Sequence, residues 1–292
     1  MTYALIIHGG AGAQPGFDYS VQTAHMDALI RRGQDMLEKG SSALDVVEAM
    51  VSDLEGSGHY VAGKGSAPNM DGVIELDASI MDGKDRSAGS VAAIPAIEHP
   101  VQAARKVMDD GKHVMMAGEN ARKFAVRAGL KAIDDPDNYY TEHERHGSGH
   151  DSANHGTVGA VALDSSGHLA AATSTGGIFG KSAGRIGDTP LIGAGTWADA
   201  QVAVSCTGLG EAFIRTSAAH DVAARIQYGN ETLSDAVWNV LDQVALCEGD
   251  GGIIAIDKDG NMAMPFNSDG MKRAVVSSTV PPTVLVFEKE TR

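Results

Sequence analysis

The chain is 292 residues long and carries a formal net charge of −15, from 23 Lys and Arg against 38 Asp and Glu. At that length roughly three-quarters of the unfolded surface can be buried without disulfide or metal staples. A hydrophobic fraction of 43% with 21% charged residues excludes disordered, collagen-like and coiled-coil chains. The acidic balance speaks against nucleic acid or an anionic membrane as partner and for a small cationic or zwitterionic ligand. Two cysteines, Cys206 and Cys247, make no disulfide framework. No apolar run reaches the ~18 residues of a membrane span, and the start MTYALIIHGGAG lacks the features of a signal peptide, so the cytoplasm is the expected compartment.

In chain order, Tyr3 to Ile7 reads as a buried strand stopped by the glycine turn from His8 to Gly12. A helix over Val21 to Glu38 follows. A second helix starts after Ser42, which with Asp45 resembles a capping box, and carries Ala43, Val46, Val47, Met50 and Leu54 at helical spacing. Glu75 to Met81 and Ser87 to Ala93 predict a hairpin around Asp82-Gly83. Val101, Ala104 and Val107, then Ala121, Phe124, Ala125 and Ala128, mark two more helices, with Met108, Met115 and Met116 as helical packing residues.

From about Asp134 to His155 almost nothing could be buried, and the stretch reads as a polar linker. Strands at His155 to Asp164 and Leu169 to Thr175 open a second half, starting at Thr157, expected to repeat the first. It continues with a strand at Ala203 to Cys206, helices from about Glu211 to Tyr228 and Leu233 to Leu246, and strands at Gly252 to Ile256, Met262 to Pro265 and Thr283 to Phe287. Antiparallel strands followed by paired helices predict an α+β fold of four layers, α-β-β-α, in which two stacked, mainly antiparallel sheets lie between helices as a single domain over 1–292.

A long polar linker ending against a strand that begins with Thr is explained by cleavage. Breaking the Gly156-Thr157 bond would give Thr157 a free α-amine titrating near ~8, able to take the proton of its own hydroxyl. Gly156 permits the strained backbone that an N-to-O acyl shift requires. Polar groups gather at other strand ends too: Thr173 to Gly177, Gly184 to Asp188, and Ser205 to Glu211, where a Thr-Gly turn can direct a hydroxyl and an N–H to one point, as an oxyanion hole needs.

As a set, HGGAG at 8–12, ELDASIMDG at 75–83, HGTVGAVALD at 155–164, ATSTGG at 172–177, GRIGDTP at 184–190, GAGTWAD at 193–199 and CTGLGE at 206–211 resemble the plant-type L-asparaginase/isoaspartyl aminopeptidase family of N-terminal nucleophile hydrolases. The resemblance implies an Ntn-hydrolase fold, self-cleavage into 1–156 and 157–292, and hydrolysis of β-aspartyl dipeptides and L-asparagine through an acyl-enzyme. It makes Thr157 the nucleophile, with Thr175 hydrogen-bonding it. Arg185 would grip the substrate α-carboxylate and Asp188 its α-ammonium. Thr207 and Gly208 would form the oxyanion hole, Gly210 would line the α-amine pocket, and Gly9-Gly10 would border the site. No cofactor is implied beyond a structural sodium ion on the loop of Leu54, Glu55, Ser57, Tyr60, Ala62 and Lys64, and relatives suggest a dimer of cleaved αβ units.

One position departs from the family: Val61 stands where it generally has Asn, so the Thr157 amine must be oriented by something else. Glycosylasparaginases, which usually carry Asn at the position of Gly177 and Asp at that of Glu211, give the alternative of a glycoamidase, and an uncleaved amino-acid-binding relative gives a third. Three plainer readings stand beside these: an Arg185–Asp188 loop salt bridge without a ligand, Cys206 as a small buried hydrophobe, and His143, His146, His150 and His155 as solvated linker residues rather than zinc ligands. His8 is expected to satisfy a hydrogen bond in the core, and the acidic surface to favour basic leaving residues.

Overall fold

The computed structural model describes residues 2–141 and 155–290. Its centre is an eight-stranded sheet. The apolar run at the start becomes β1 (Ala4–His8), buried along its whole length because it pairs on both sides, with β5 (His155–Leu163) and β11 (Arg273–Ser277). The sheet continues through β6 (Leu169–Ile178), the hairpin strands β2 (Leu76–Asp82) and β3 (Ala88–Ile94), and β4 (Met115–Ala117), with β12 (Thr283–Leu285) at the other edge; the strand order is β12-β11-β1-β5-β6-β2-β3-β4. Among the described strands only β3 and β4 pair in parallel. A four-stranded antiparallel sheet, β10 (Met262–Ala263), β9 (Gly251–Asp257), β8 (Val202–Gly208) and β7 (Thr196–Ala198), lies against it.

Helices α1 (Ser20–Glu38), α2 (Ala43–Ser57) and α3 (Pro100–Asp110) bury Met26, Ile30, Val47, Met50, Leu54, Val101 and Val107 on the outer face of the large sheet. The Ser42 side chain accepts from the Asp45 N–H at 3.2 Å and starts α2, while the left-handed Gly58 ends it. Helix α4 (Gly118–Arg127) packs at β3 and β4, and the single turn α5 (Pro136–Tyr139) brings Tyr139 beside Lys64. On the small sheet, α6 (Gly210–Thr216), α7 (Ala218–Gly229) and α8 (Leu233–Leu246) cover Val204, Cys206 and Ile253. A third apolar cluster, with Ile6, Val161, Ala171, Ala203 and Ile254, fills the space between the sheets. The α+β fold of stacked sheets between helices is therefore as expected.

The two halves do not repeat each other. The segment after Thr157 contributes β5, β6, β11 and β12 to the large sheet, so strands from before and after the linker alternate across it. The expected helix from Glu211 to Tyr228 is two helices, broken where Ser217 adopts φ +48°. Met115 and Met116 belong to β4 rather than a helix. The polar stretch begins later than expected. Residues 136–139 form α5, and Thr141 folds back to donate its N–H to the Lys64 carbonyl at 2.9 Å and its hydroxyl to that of Gly58 at 3.3 Å. The rest of the linker, with His143, His146 and His150, lies outside the described residues.

Candidate active site

Strand register builds the site. Thr157 on β5 pairs with Thr175 on β6, which pairs with Asp77 on β2, so the three side chains form a row on the face that meets the small sheet. The Thr157 hydroxyl donates to Thr175 Oγ1 at 3.2 Å; Thr175 in turn donates to the Gly156 carbonyl at 2.7 Å and accepts the Gly177 N–H at 3.0 Å. The scissile bond of the expected cleavage is thus held by the hydroxyl of its neighbour. Both threonines are buried.

The turn after β1 closes one side. Gly10 has φ +96°, and a Cβ there would stand 3.3 Å from both the Thr157 nitrogen and Gly156 Cα, so only glycine admits this approach. The next residue, Ala11, donates its N–H to Thr207 Oγ1 at 3.3 Å, which ties the turn to β8. Gly208 follows at φ +149°, where a side chain would run into the Asp250 carbonyl. Val61 closes the other side: it packs directly on Gly156, and its carbonyl accepts the Gly176 N–H at 2.9 Å.

The charged end lies on the loop after β6. Arg185 and Asp188 form no ion pair with each other. Instead Arg185 Nε and Nη2 donate to the two Glu211 carboxylate oxygens at 2.9 and 2.8 Å, which fixes one edge of the guanidinium and leaves Nη1 for another acceptor. Asp188 is fully buried, one of its oxygens lacks a partner among the described residues, and burial pushes its pKa up to about 7. Gly210 leaves room for both side chains: a Cβ there would come 2.9 Å from Asp188 Oδ1 and 3.1 Å from Arg185 Nη2.

Beneath these residues, five side chains from both sheets form a buried hydrogen-bonded chain. Ser79 on β2 bonds Thr196 on β7 at 2.7 Å and the Thr189 carbonyl at 2.6 Å. Thr196 bonds Thr173 on β6 at 2.6 Å, Thr173 meets Ser205 on β8 at 2.8 Å, and Ser205 meets His8 Nε2 at 3.0 Å. His8 makes the expected core hydrogen bond through Nε2, while Nδ1 has no hydrogen-bond partner among the described residues, and burial lowers its pKa to about 3, so the imidazole is neutral. Sequence reasoning missed Asp77 and Lys181 near the site. Asp77 accepts the Ala93 N–H at 2.7 Å, has a second oxygen without a partner among the described residues, and has its pKa raised to about 6 by burial. Lys181 lies under Gly177 and donates to the Glu75 carbonyl at 2.8 Å. The sequence signal was present in ELDASIMDG, but only register shows which of its acids faces the threonines.

The candidate sodium loop lies on the helical side of the sheet, beyond Val61. Its carbonyls are a hard-cation donor set; those of Tyr60 and Ala62 accept the N–H groups of Ala62 and Gly65, and that of Leu54 accepts the Ser57 hydroxyl at 2.9 Å. The Lys64 carbonyl accepts the Thr141 N–H at 2.9 Å and shares the single proton of the Thr141 hydroxyl with the Gly58 carbonyl, so it is the least open member of the set.

A family model described as asparaginase matches residues 1–149 and 135–286. The chain belongs to the asparaginase family. Among family members, the isoaspartyl peptidase of Salmonella typhimurium is 44% identical over 99% of this chain and 100% of its own length. That of Escherichia coli is 43% identical over 98% of this chain and 96% of its own. The isoaspartyl peptidase/L-asparaginase of Rattus norvegicus is 40% identical over 95% and 87%.

Proposed function

We infer that this asparaginase-family chain hydrolyses β-aspartyl dipeptides and L-asparagine, with Thr157 as nucleophile after cleavage of the Gly156-Thr157 bond. The observation that carries the reading is the bonded row Gly156–Thr175–Thr157 with Gly10 against the Thr157 nitrogen. In maturation the Thr157 hydroxyl attacks the Gly156 carbonyl, the N–C bond gives way to an ester, and water hydrolyses the ester. Residues 1–156 then end in a carboxylate and Thr157 begins with an amine.

In turnover the Thr157 α-amine takes the hydroxyl proton as Oγ1 attacks the β-carbonyl of the aspartyl group. The oxyanion forms at Thr207 and Gly208, and the amine hands its proton to the departing nitrogen. Water then splits the ester, releases L-aspartate and restores the hydroxyl. Arg185 Nη1 takes the α-carboxylate and the unpartnered oxygen of Asp188 takes the α-ammonium, while Glu211 keeps the guanidinium aimed. With Val61 in place of Asn, the turn at Gly10 and the hydroxyl of Thr175 orient the amine.

A sodium ion on the carbonyls of Leu54, Glu55, Ser57, Tyr60 and Ala62 would steady the loop that carries Val61. We assign the enzyme to the cytoplasm, as a dimer of cleaved αβ units; no helix among the described residues is long and apolar enough to cross a membrane. The relatives named isoaspartyl peptidase favour this reading over a glycoamidase. The test is intact mass of the purified protein together with turnover of β-Asp-Leu, L-asparagine and a glycosylated asparagine. Two fragments matching 1–156 and 157–292 with turnover of the first two substrates are expected; an uncut, fully active chain overturns the mechanism.

A further inference from the structure

Arg185 can meet a substrate carboxylate only if its backbone is fixed as well as its head. Its guanidinium is paired with Glu211, whose side chain is 50% exposed and so moves with its partner rather than anchoring it. Its backbone stands in a loop with glycines at Gly180, Gly184 and Gly187. Gly184, directly before it, adopts φ +76°, and nothing lies within 4 Å of a Cβ built there. That glycine serves a turn and not a tight fit, and such a joint keeps its angle only when something outside the loop holds it.

Glu75, at the entrance to β2, is what holds it. Its two carboxylate oxygens share the Gly184 N–H at 3.1 and 3.0 Å, and Oε2 also accepts the Asn69 side-chain amide at 3.0 Å. Asn69 is buried and fixed in turn, because its Oδ1 accepts the N–H groups of Asp71 and Val73 at 2.9 and 3.0 Å. The same segment holds the start of the loop: the Met70 N–H donates to the Lys181 carbonyl at 2.9 Å, and Lys181 Nζ to that of Glu75 at 2.8 Å. A charge-assisted bond to the N–H one residue before Arg185 fixes the direction in which that side chain leaves the loop.

We propose that Glu75 is a positioning residue: by fixing Gly184 it places Arg185 for the α-carboxylate of the aspartyl group, and so sets the preference for substrates in which that carboxylate is free. This rests on the assignment of Arg185 to that carboxylate. The experiment measures kcat and KM for β-Asp-Leu, and for the same dipeptide with its aspartyl α-carboxyl amidated, in the wild type, Glu75→Ala, Glu75→Asp, Glu75→Gln, Arg185→Ala and the Glu75→Ala/Arg185→Ala double variant, with intact mass to follow self-cleavage.

The wild type is expected to prefer the free acid by about thirtyfold or more, as for a cation otherwise left without its anion. Glu75→Ala should self-cleave normally, since its hydrogen bonds lie away from Thr157 and Gly10. It should raise KM for the free acid by about tenfold with kcat little changed and shrink the acid preference by a similar factor, the scale of one hydrogen bond to a charged group. Glu75→Asp, one carbon shorter, should behave alike and carries the test if Glu75→Ala does not fold. Glu75→Gln keeps an oxygen for both the Asn69 and Gly184 donors and should retain most of the wild-type KM and preference. Without Arg185, removing Glu75 should change KM no further. Glu75→Ala or Glu75→Asp with wild-type KM and preference overturns the proposal, as does a Glu75→Ala effect that persists undiminished without Arg185. Failure of the Arg185 assignment looks different and takes the proposal with it, because then the wild type turns over acid and amide alike.

Discussion

At the scale of single residues, Thr157 and Asp188 give the sharpest expectations. Thr157→Ala removes the attacking hydroxyl and should remain one inactive chain by intact mass; a processed Thr157→Ala would sink the mechanism. Arg185→Ala should still self-cleave but lose ~2–5 kcal/mol of substrate binding, because a substrate carboxylate is left without its cation; near-normal dipeptide turnover would place the grip elsewhere. Asp188 has a folded pKa near 7, above the ~3.9 of an unfolded carboxyl, so the native state binds the proton more tightly. Its contribution to stability therefore falls as pH rises from about 4 to about 7. Asp188→Asn removes that dependence, and its Tm relative to wild type should rise by a few degrees between pH 5 and pH 8, roughly 2–4 °C per kcal/mol; a pH-independent difference would contradict it. Most of this residue set was readable from sequence, because hydroxyl and charged groups stand at strand ends in motifs. Asp77 and Lys181 were not, since their meaning depends on which residue lies across the sheet.

At the scale of elements, the chain of hydroxyls from Ser79 to His8 joins the two sheets through the floor of the site. It also reaches the Thr189 carbonyl, directly after Asp188. Thr173→Val keeps the shape but leaves the Thr196 and Ser205 hydroxyls each short of a partner, at about 1–3 kcal/mol of stability. Thr173→Ser keeps the hydroxyl and should retain substrate affinity that Thr173→Val loses; equal KM for the two variants would show that the chain does not position the site. The long elements were legible because α1, α2, α3 and α8 repeat apolar residues at helical spacing and the β2–β3 hairpin has a turn signal. The missed elements were short or locally broken. β4 and β7 have three residues each, too few for a period, and the break between α6 and α7 is a single left-handed Ser217 in a sequence of good helix formers.

On the scale of the whole molecule, the net charge of −15 sets a field that should draw cationic dipeptides to the site. β-Asp-Arg or β-Asp-Lys is expected to show a higher kcat/KM than L-asparagine, with an advantage that shrinks as salt shortens the screening length. A preference for β-Asp-Leu over the basic dipeptides, or no response to salt, would remove the charge argument and leave Thr157 untouched. The distribution of strands between the sheets could not be read from sequence, because each strand's own pattern says that it is buried and not which strand it adjoins.

The alternation of early and late strands in the large sheet has a consequence for the life history of the protein. Cut after Gly156, the sheet still reads late, early, late, early: β12 and β11, then β1, then β5 and β6, then β2 to β4. Neither fragment would hold the large sheet alone, although 157–292 keeps the whole small sheet, so the first folding would happen as one connected chain and any later one would have to bring two molecules together. Renaturation of the uncut Thr157→Ala chain should proceed at a rate independent of protein concentration. Recovery of the mature enzyme from denaturant should slow on dilution and yield aggregates at high concentration, which makes maturation a one-way step in which the connection that guided assembly is discarded once the strands are interleaved.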